Sequence, residues 1–308
     1  MFDTLYRRVV LGVAEAPPLA RFIKRQGWKL GVSRFVAGES LEGALAALAA
    51  LEARGMSGIL DLLGEFVDTE AGAEAMTQEV LRTLTRLAET ELERYMSVKP
   101  TQLGLGLGLE PAYANARRIL ERAQEVGAQV CLDMENAPYV EGTLDLTERL
   151  HREGFHAVST VLQSYMRRSP QDLARLLALS PKPAVRIVKG AYRESADVAY
   201  QDKAKVDAQY RSLVEQALAG GAQVNIATHD ERLIRAALEL ADALGVPPER
   251  YEFQLLYGVK PALQQRLVRE GHRVRIYVPY GEDWYGYFSR RLAERPANLA
   301  FVVRGLFG

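Results

Sequence analysis

One cysteine, Cys131, and four histidines are all that this sequence offers a soft metal ion. Cys131 has no partner for an internal disulfide and sits in the apolar run AQVCLDM, the setting of a buried, reduced thiol in a cytosolic protein. No two histidines fall at H-x-H or H-x-x-x-H spacing, so no metal site is expected. Net charge is missing as well: 39 Lys and Arg residues cancel 39 Asp and Glu residues. That balance leaves no broad basic field to hold nucleic acid, and a small-molecule partner becomes the default. No stretch reaches the roughly 18 apolar residues of a membrane span. The start, MFDTLYRRVVLGVAEAPPLA, carries an acid at its third position and only a short apolar stretch, so a secretory signal is not expected either. A soluble, cytoplasmic protein is the expectation. A G-x-S-x-G elbow and a P-loop are both absent. The stretch LGLGLGLE, Leu103 to Glu110, comes near a dinucleotide fingerprint, but its third glycine falls one place short of G-x-G-x-x-G, and it reads as a loop.

What the sequence does contain is a rhythm. A short apolar run, a polar turn and an amphipathic helical pattern recur eight times after an Ala-rich helix near residues 40–54. The runs are SGILDLLGE from Ser57, YMSVKPTQLG from Tyr95, AQVCLDMEN from Ala128, HAVSTVLQSY from His156, AVRIVKGAY from Ala184, QVNIATHD from Gln223, YEFQLLYG from Tyr251 and RVRIYVPYG from Arg273. Segments such as EPAYANARRILERAQEVG between them have helical apolar spacing and end at a glycine, a common C-cap. Strand and helix alternating through eight units imply a parallel sheet closed into an α/β, (βα)8 TIM barrel, with a doubly wound open sheet as the structural alternative. No Pro-rich or Ser-rich linker divides the units. The expected organisation is an N-terminal helical arm over residues 1–55 and one barrel domain over 56–308.

A barrel of this kind carries its active site at the C-terminal ends of the strands, and the polar residues collect there. Strand two ends in Lys99, strand three in Asp133, Glu135 and Asn136, and strand four in Gln163, Ser164 and Tyr165. Strand five carries Arg186 and Lys189, strand six ends in Thr228, His229 and Asp230, strand seven holds Gln254, and strand eight gives Tyr277 and Tyr280. Each has a structural explanation when taken singly. Lys99 with Asp133, or Arg186 with Glu252 or Asp133, can form an ion pair; His229 can be a hydrogen-bonded structural residue; the glutamines can bond to nearby backbone. So many charges at one end of a barrel are expensive to desolvate without a ligand, and together they point to a binding site. Near the chain's end, YFSRRLAE places Arg290 and Arg291 side by side on a helix. They form either a solvated face, with Glu294 pairing at i+3 and i+4, or a two-sided grip on a small carboxylate.

Laid out in order, SVKPTQLG, CLDMEN, VLQSY, RIVKGAYRE, ATHD, YEFQLLYG, IYVPYG and YFSRRLAER resemble the motifs of the proline dehydrogenase family across nearly the whole barrel. The resemblance implies a distorted (βα)8 barrel that holds FAD noncovalently. It also implies oxidation of L-proline to Δ1-pyrroline-5-carboxylate with electrons passed to a membrane quinone. By resemblance, Lys99, Arg290 and Arg291 grip the substrate carboxylate, Tyr277 and Tyr287 pack on the ring, and Glu294 holds Arg290 in place. Asp133 orients the cationic cluster. Arg186 stands beside the reactive N5 edge of the flavin, with Met134 and Gln163 near its ring system. Val188, Lys189, Gly190, Ala191, Thr228 and His229 serve the ribityl and phosphate region, and Gln254 and Leu256 complete the cofactor set. Arg193 follows KGAY where some family members have an aromatic residue, and residues 281–286 form a shorter loop than in the long bifunctional relatives. The length leaves no room for the aldehyde dehydrogenase module fused to those relatives, so a separate pyrroline-5-carboxylate dehydrogenase is expected downstream. A quinone acceptor further implies peripheral contact with the inner face of the membrane. Two other functions fit the same strand ends: a Schiff-base aldolase or transaldolase using Lys99 or Lys189, and a noncatalytic barrel that binds an amino acid.

Overall fold

All eight apolar runs form strands, and the strands pair in parallel, each with its neighbours in sequence, until β1 meets β8 and the barrel closes. In the computed structural model the described residues are 21, 23, 25–28 and 31–294, without the side chains of 293 and 294. The first 20 residues of the expected N-terminal arm therefore lie outside them. The strands are β1 (Ser57–Leu62), β2 (Tyr95–Val98), β3 (Gln129–Leu132), β4 (Val158–Gln163), β5 (Val185–Val188), β6 (Val224–Ala227), β7 (Tyr251–Leu256) and β8 (Val274–Tyr280). Helix α1 (Leu41–Glu52) precedes β1. Helices α2 (Glu70–Ala88), α3 (Leu109–Val126), α4 (Ala137–Arg152), α5 (Ser169–Leu177), α6 (Lys203–Ala219), α7 (Glu231–Ala243), α8 (Pro261–Arg269) and α9 (Trp284–Glu294) follow the strands in turn. The strands are buried almost throughout, as a parallel sheet covered on its outer face must be.

Two departures from a regular barrel place the site. Helix α1 packs on β1 and β8, the groove where the helix after β8 ordinarily lies. Gly58 lets Leu48 lie close against β1: a Cβ there would sit 2.0 Å from Leu48 Cδ2, and the leucine side chain would have to shift. Helix α9 belongs instead to a second apolar cluster, in which Trp284, Tyr287, Phe288 and Leu292 pack with Val32, Phe35 and Val36. Glu39 Oε1 accepts from both indoles, Trp28 Nε1 at 2.7 Å and Trp284 Nε1 at 3.0 Å. Only residues 281–283 separate β8 from α9, so the helix bearing the arginine pair is turned across the mouth.

The lumen differs too. Barrels usually fill it with branched aliphatic layers, whereas here hydrogen bonds cross it between strands that are not neighbours. Arg186 on β5 reaches Asp133 after β3 and Ser97 on β2, and Tyr277 on β8 reaches Asp133 from the other side. Among the described residues no helix is long and apolar enough to cross a membrane.

Candidate active site

The tetrapeptide Lys99-Pro100-Thr101-Gln102 organises one side of the mouth. Pro100, with its φ preset, opens a 3-10 turn directly after β2. Gln102 then accepts the Lys99 N–H at 3.0 Å and donates to Leu62 O at 2.7 Å. Thr101 Oγ1 accepts from the Phe66 N–H at 3.1 Å and donates to Glu135 Oε2 at 2.7 Å. The loop after β1, with Glu65 in it, is thereby stapled to the ends of β2 and β3.

Within this frame a chain of buried charges forms. Lys99 Nζ lies 2.7 Å from Asp61 Oδ1 and 3.7 Å from Asp133 Oδ2. The closer partner is thus Asp61, an acid that the apolar run SGILDLLGE hides, rather than the Asp133 expected from the sequence. Asp133 Oδ1 accepts from Ser97 Oγ and Arg186 Nη1, both at 2.6 Å, and its Oδ2 accepts from Tyr277 OH at 2.6 Å. Arg186 Nε donates to Gln254 Oε1 at 2.5 Å, so Arg186 pairs with Asp133 and meets Glu252 only through Gln254. Burial opposes the ammonium of Lys99, but Asp61 and Asp133 more than offset it and hold Lys99 above its ordinary value. Burial likewise raises Asp133, yet Arg186 and Lys99 keep it below the usual carboxylate range. Asp61, fully enclosed, is pushed up to about 6 by burial against the pull of Lys99. Burial takes the Cys131 thiol up to about 11, leaving no thiolate near neutrality.

Arg290 and Arg291 do converge on the mouth. Arg290 makes a two-pronged contact with Glu65, from Nη1 at 3.2 Å and Nη2 at 2.5 Å. The carboxylate found holding Arg290 is therefore supplied by the β1–α2 loop; the side chain of Glu294, expected in that role, lies outside the described residues. The Arg291 guanidinium stands 5.0 Å from the Tyr287 ring centroid, and the Arg186 guanidinium 5.3 Å from that of Tyr277. Lys99, Asp133, Arg186, Tyr277, Tyr287, Arg290 and Arg291 all line one cavity of about 680 Å³, within the size range of small-molecule sites.

The far flank of the same cavity is made by Met134, Gln163, Val188, Lys189, Gly190, Ala191, Thr228, His229, Gln254 and Leu256, joined by Lys203, Arg232 and Lys260. Gln163 Nε2 donates to Glu135 O at 2.8 Å. His229 Nε2 accepts the Leu256 N–H at 3.0 Å, which ties β6 to β7 and leaves the ring proton on the other nitrogen. Lys189 differs from expectation: its ammonium is 2.6 Å from Asp207 and 3.0 Å from Asp230, so its charge is met within the protein. Gly190, at φ +119°, has no room for a side chain, since a Cβ would lie 2.3 Å from the Tyr165 ring. Packing against Tyr165 accounts for that glycine without an approaching ligand. Asp207 sits in α6, 19 positions along the chain from the end of β5, and nothing in its sequence context marks it.

Glu135 gives a test of this electrostatic description. Burial pushes it up to about 7 against hydrogen bonds from the Thr101 N–H and hydroxyl. The folded state therefore keeps a proton that the unfolded chain releases near pH 4.5. The stability this supplies is complete below that pH and is lost as pH rises through about 7. Glu135→Gln is expected to remove on the order of 1–3 kcal/mol of this pH dependence, seen as a smaller fall in urea midpoint between pH 5 and pH 8. An unchanged slope would contradict the assignment.

A model of the family described as proline dehydrogenase matches residues 44–304. The sequence is 47% identical over 310 residues to the proline dehydrogenase of Deinococcus radiodurans, with 99% of each chain covered. It is 39% identical over 302 residues to proline dehydrogenase 1 of Bacillus subtilis, covering 98% of this chain and 99% of that one. Against the bifunctional protein PutA of Escherichia coli the identity is 28%, over 93% of this chain but only 25% of the relative. Among solved structures, proline utilization A from Bdellovibrio bacteriovorus inactivated by N-propargylglycine aligns with a TM-score of 0.81 at 26% identity. The alignment covers 94% of this chain, which spans 36% of that protein's length.

Proposed function

The chain belongs to the proline dehydrogenase family, and from that premise we propose that it oxidises L-proline to Δ1-pyrroline-5-carboxylate on bound FAD and passes the electrons to a quinone. The observation that carries this reading is the pairing, in one cavity, of a carboxylate grip with an unspent buried donor. Lys99, Arg290 and Arg291 supply the grip. Arg186 lines the same cavity, 4% exposed, and its Nη2 has no hydrogen-bond partner among the described residues. A buried guanidinium N–H left open asks for an acceptor, and the electron-rich edge of a flavin meets that need. The residues present therefore fit the cofactor.

FAD supplies the hydride acceptor, because no side chain of the cavity can take up a hydride. The protein's part is binding, orientation and charge. Lys99 and the two arginines hold the proline carboxylate by charge-assisted hydrogen bonds, while the Tyr277 and Tyr287 rings face the pyrrolidine. That grip turns the ring carbon next to nitrogen toward the cofactor. Arg186, held by Asp133 and Gln254, keeps a fixed positive charge where the reduced cofactor becomes negative. Lys203, Arg232 and the Thr228 hydroxyl serve the phosphates; Lys189, already paired, adds little net charge.

The aldolase alternative loses its nucleophile. A Schiff base needs a free amine at neutral pH, and Lys99 is held as an ammonium by two carboxylates. Lys189 sits between two more.

Arg291→Met tests the carboxylate grip. Loss of one charged hydrogen bond, about 1.5–3 kcal/mol, is expected to raise the KM for L-proline by about 10-fold to 100-fold. The measurement is proline-dependent reduction of a soluble quinone with the ring imine trapped by o-aminobenzaldehyde. An unchanged KM would remove Arg291 from the substrate site.

A further inference from the structure

The YEFQ motif of β7 places Glu252 and Gln254 two residues apart, hence on one face of the strand, and that face is the lumen. Glu252, Gln254 and Arg186 are each 4% exposed. A glutamine amide has a donor end and an acceptor end, and its neighbours decide which way it lies. Arg186 Nε can only donate, so Gln254 must present Oε1 to it, at 2.5 Å. The amide's donor end then needs an acceptor, and Glu252 Oε1 supplies one at 2.7 Å from Gln254 Nε2. The same oxygen accepts Arg275 Nε at 2.8 Å. Arg275 is anchored in turn by Gly58 O at 3.0 Å and Glu93 Oε2 at 2.8 Å.

We infer that Glu252 is a positioning residue for the reaction: through the direction of the Gln254 amide it fixes the Arg186 guanidinium, and with it the positive charge beside the flavin. This rests on the reading above that FAD lies against Arg186. Glu252 does not line the cavity, so its action passes through Gln254. Without an acceptor at position 252 the Gln254 NH2 group loses its partner, the amide swings to find another, and its Oε1 leaves Arg186 Nε. The guanidinium then keeps its Asp133 and Ser97 bonds and pivots about them, taking Nη2 away from the cofactor.

The test uses holoenzyme carrying Glu252→Met, Glu252→Gln or Gln254→Met. It reads FAD content, the reduction potential of the bound flavin against a reference dye, and kcat and KM for L-proline. Glu252→Met is expected to weaken stabilisation of the reduced flavin about tenfold, a potential about 30 mV lower, with kcat reduced and KM within about twofold. Gln254→Met, which leaves Glu252 paired with Arg275, reads the same link if Glu252→Met does not fold. Glu252→Gln keeps an oxygen for the same two donors and is expected to hold the wild-type potential. A folded, FAD-loaded Glu252→Met or Gln254→Met protein with the wild-type potential overturns the inference. So does a Glu252→Gln potential displaced as far as that of Glu252→Met, since charge rather than amide direction would then be the agent. A wild-type protein without a proline-reducible flavin defeats the underlying reading instead, which separates the two failures.

Discussion

Lys99→Met is expected to destabilise the fold by about 3–5 kcal/mol, the range for a buried ion pair that loses one partner, and to raise the KM for L-proline at least about tenfold. Both effects have one origin. The Lys99 ammonium is the cation that Asp61 contacts, and Asp61 Oδ2 has no hydrogen-bond partner among the described residues. Removing the ammonium leaves a fully enclosed carboxylate whose remaining large influence is burial, so Asp61 takes up a proton near neutrality. In wild type burial already pushes it up to about 6; the variant moves it further in the same direction. A carboxyl that binds its proton more tightly in the folded state loses stability as pH rises through the folded value. The difference between variant and wild type should therefore widen from pH 5 to pH 8 in urea titrations. A constant difference, or none, would mean that Asp61 and Lys99 are not coupled as their 2.7 Å contact requires.

Arg186→Met is expected to have the largest effect on electron transfer. It removes the contacts to Asp133, Ser97 and Gln254 together, along with the positive charge proposed to face the reduced flavin. Proline-dependent flavin reduction should slow by at least about 100-fold, the scale associated with loss of one preorganised electrostatic group. The variant should also be about 3–5 kcal/mol less stable, because Asp133 is left partly uncompensated. Adding Asp133→Asn separates the two roles. Arg186→Met with Asp133→Asn is expected to recover part of the stability, since the orphaned charge is gone, and none of the reduction rate. If the double variant regained the rate, Arg186 would act only as the counter-ion of Asp133.

Much of this architecture was open to reading in the sequence for a physical reason. Parallel strands buried on both faces must be apolar runs, and YMSV, VCL and VRIV have no other use for such a composition. Their C-terminal ends are where polar side chains can gather without disrupting the wall, which makes Lys99, Asp133 and Thr228 legible there, while Arg186 and Tyr277 lie within β5 and β8 and reach across the lumen. The residues missed are those whose meaning comes from a distant partner. Asp61 lies inside the apolar run SGILDLLGE, where one acid among Ile, Leu and Leu is itself a sign of a buried cation nearby. Glu65 is an ordinary loop residue until α9 brings Arg290 beside it from 225 positions away. The placement of α9 was equally hidden. It depends on Trp284 and Phe288 finding Val32 and Phe35, whereas the local pattern of YFSRRLAE fits an outer-wall helix just as well. Lys189 was legible as a cation and illegible as a paired one, because Asp207 and Asp230 belong to other elements.

The flavin proposed for this cavity must be reducible by proline. The most direct measurement is the visible spectrum of the purified protein, supplied with FAD and then given L-proline without oxygen. Flavin bands that bleach on addition of proline and return with a quinone are expected. A protein that stays colourless with FAD, or whose flavin bands persist under proline, would contradict the proposed function.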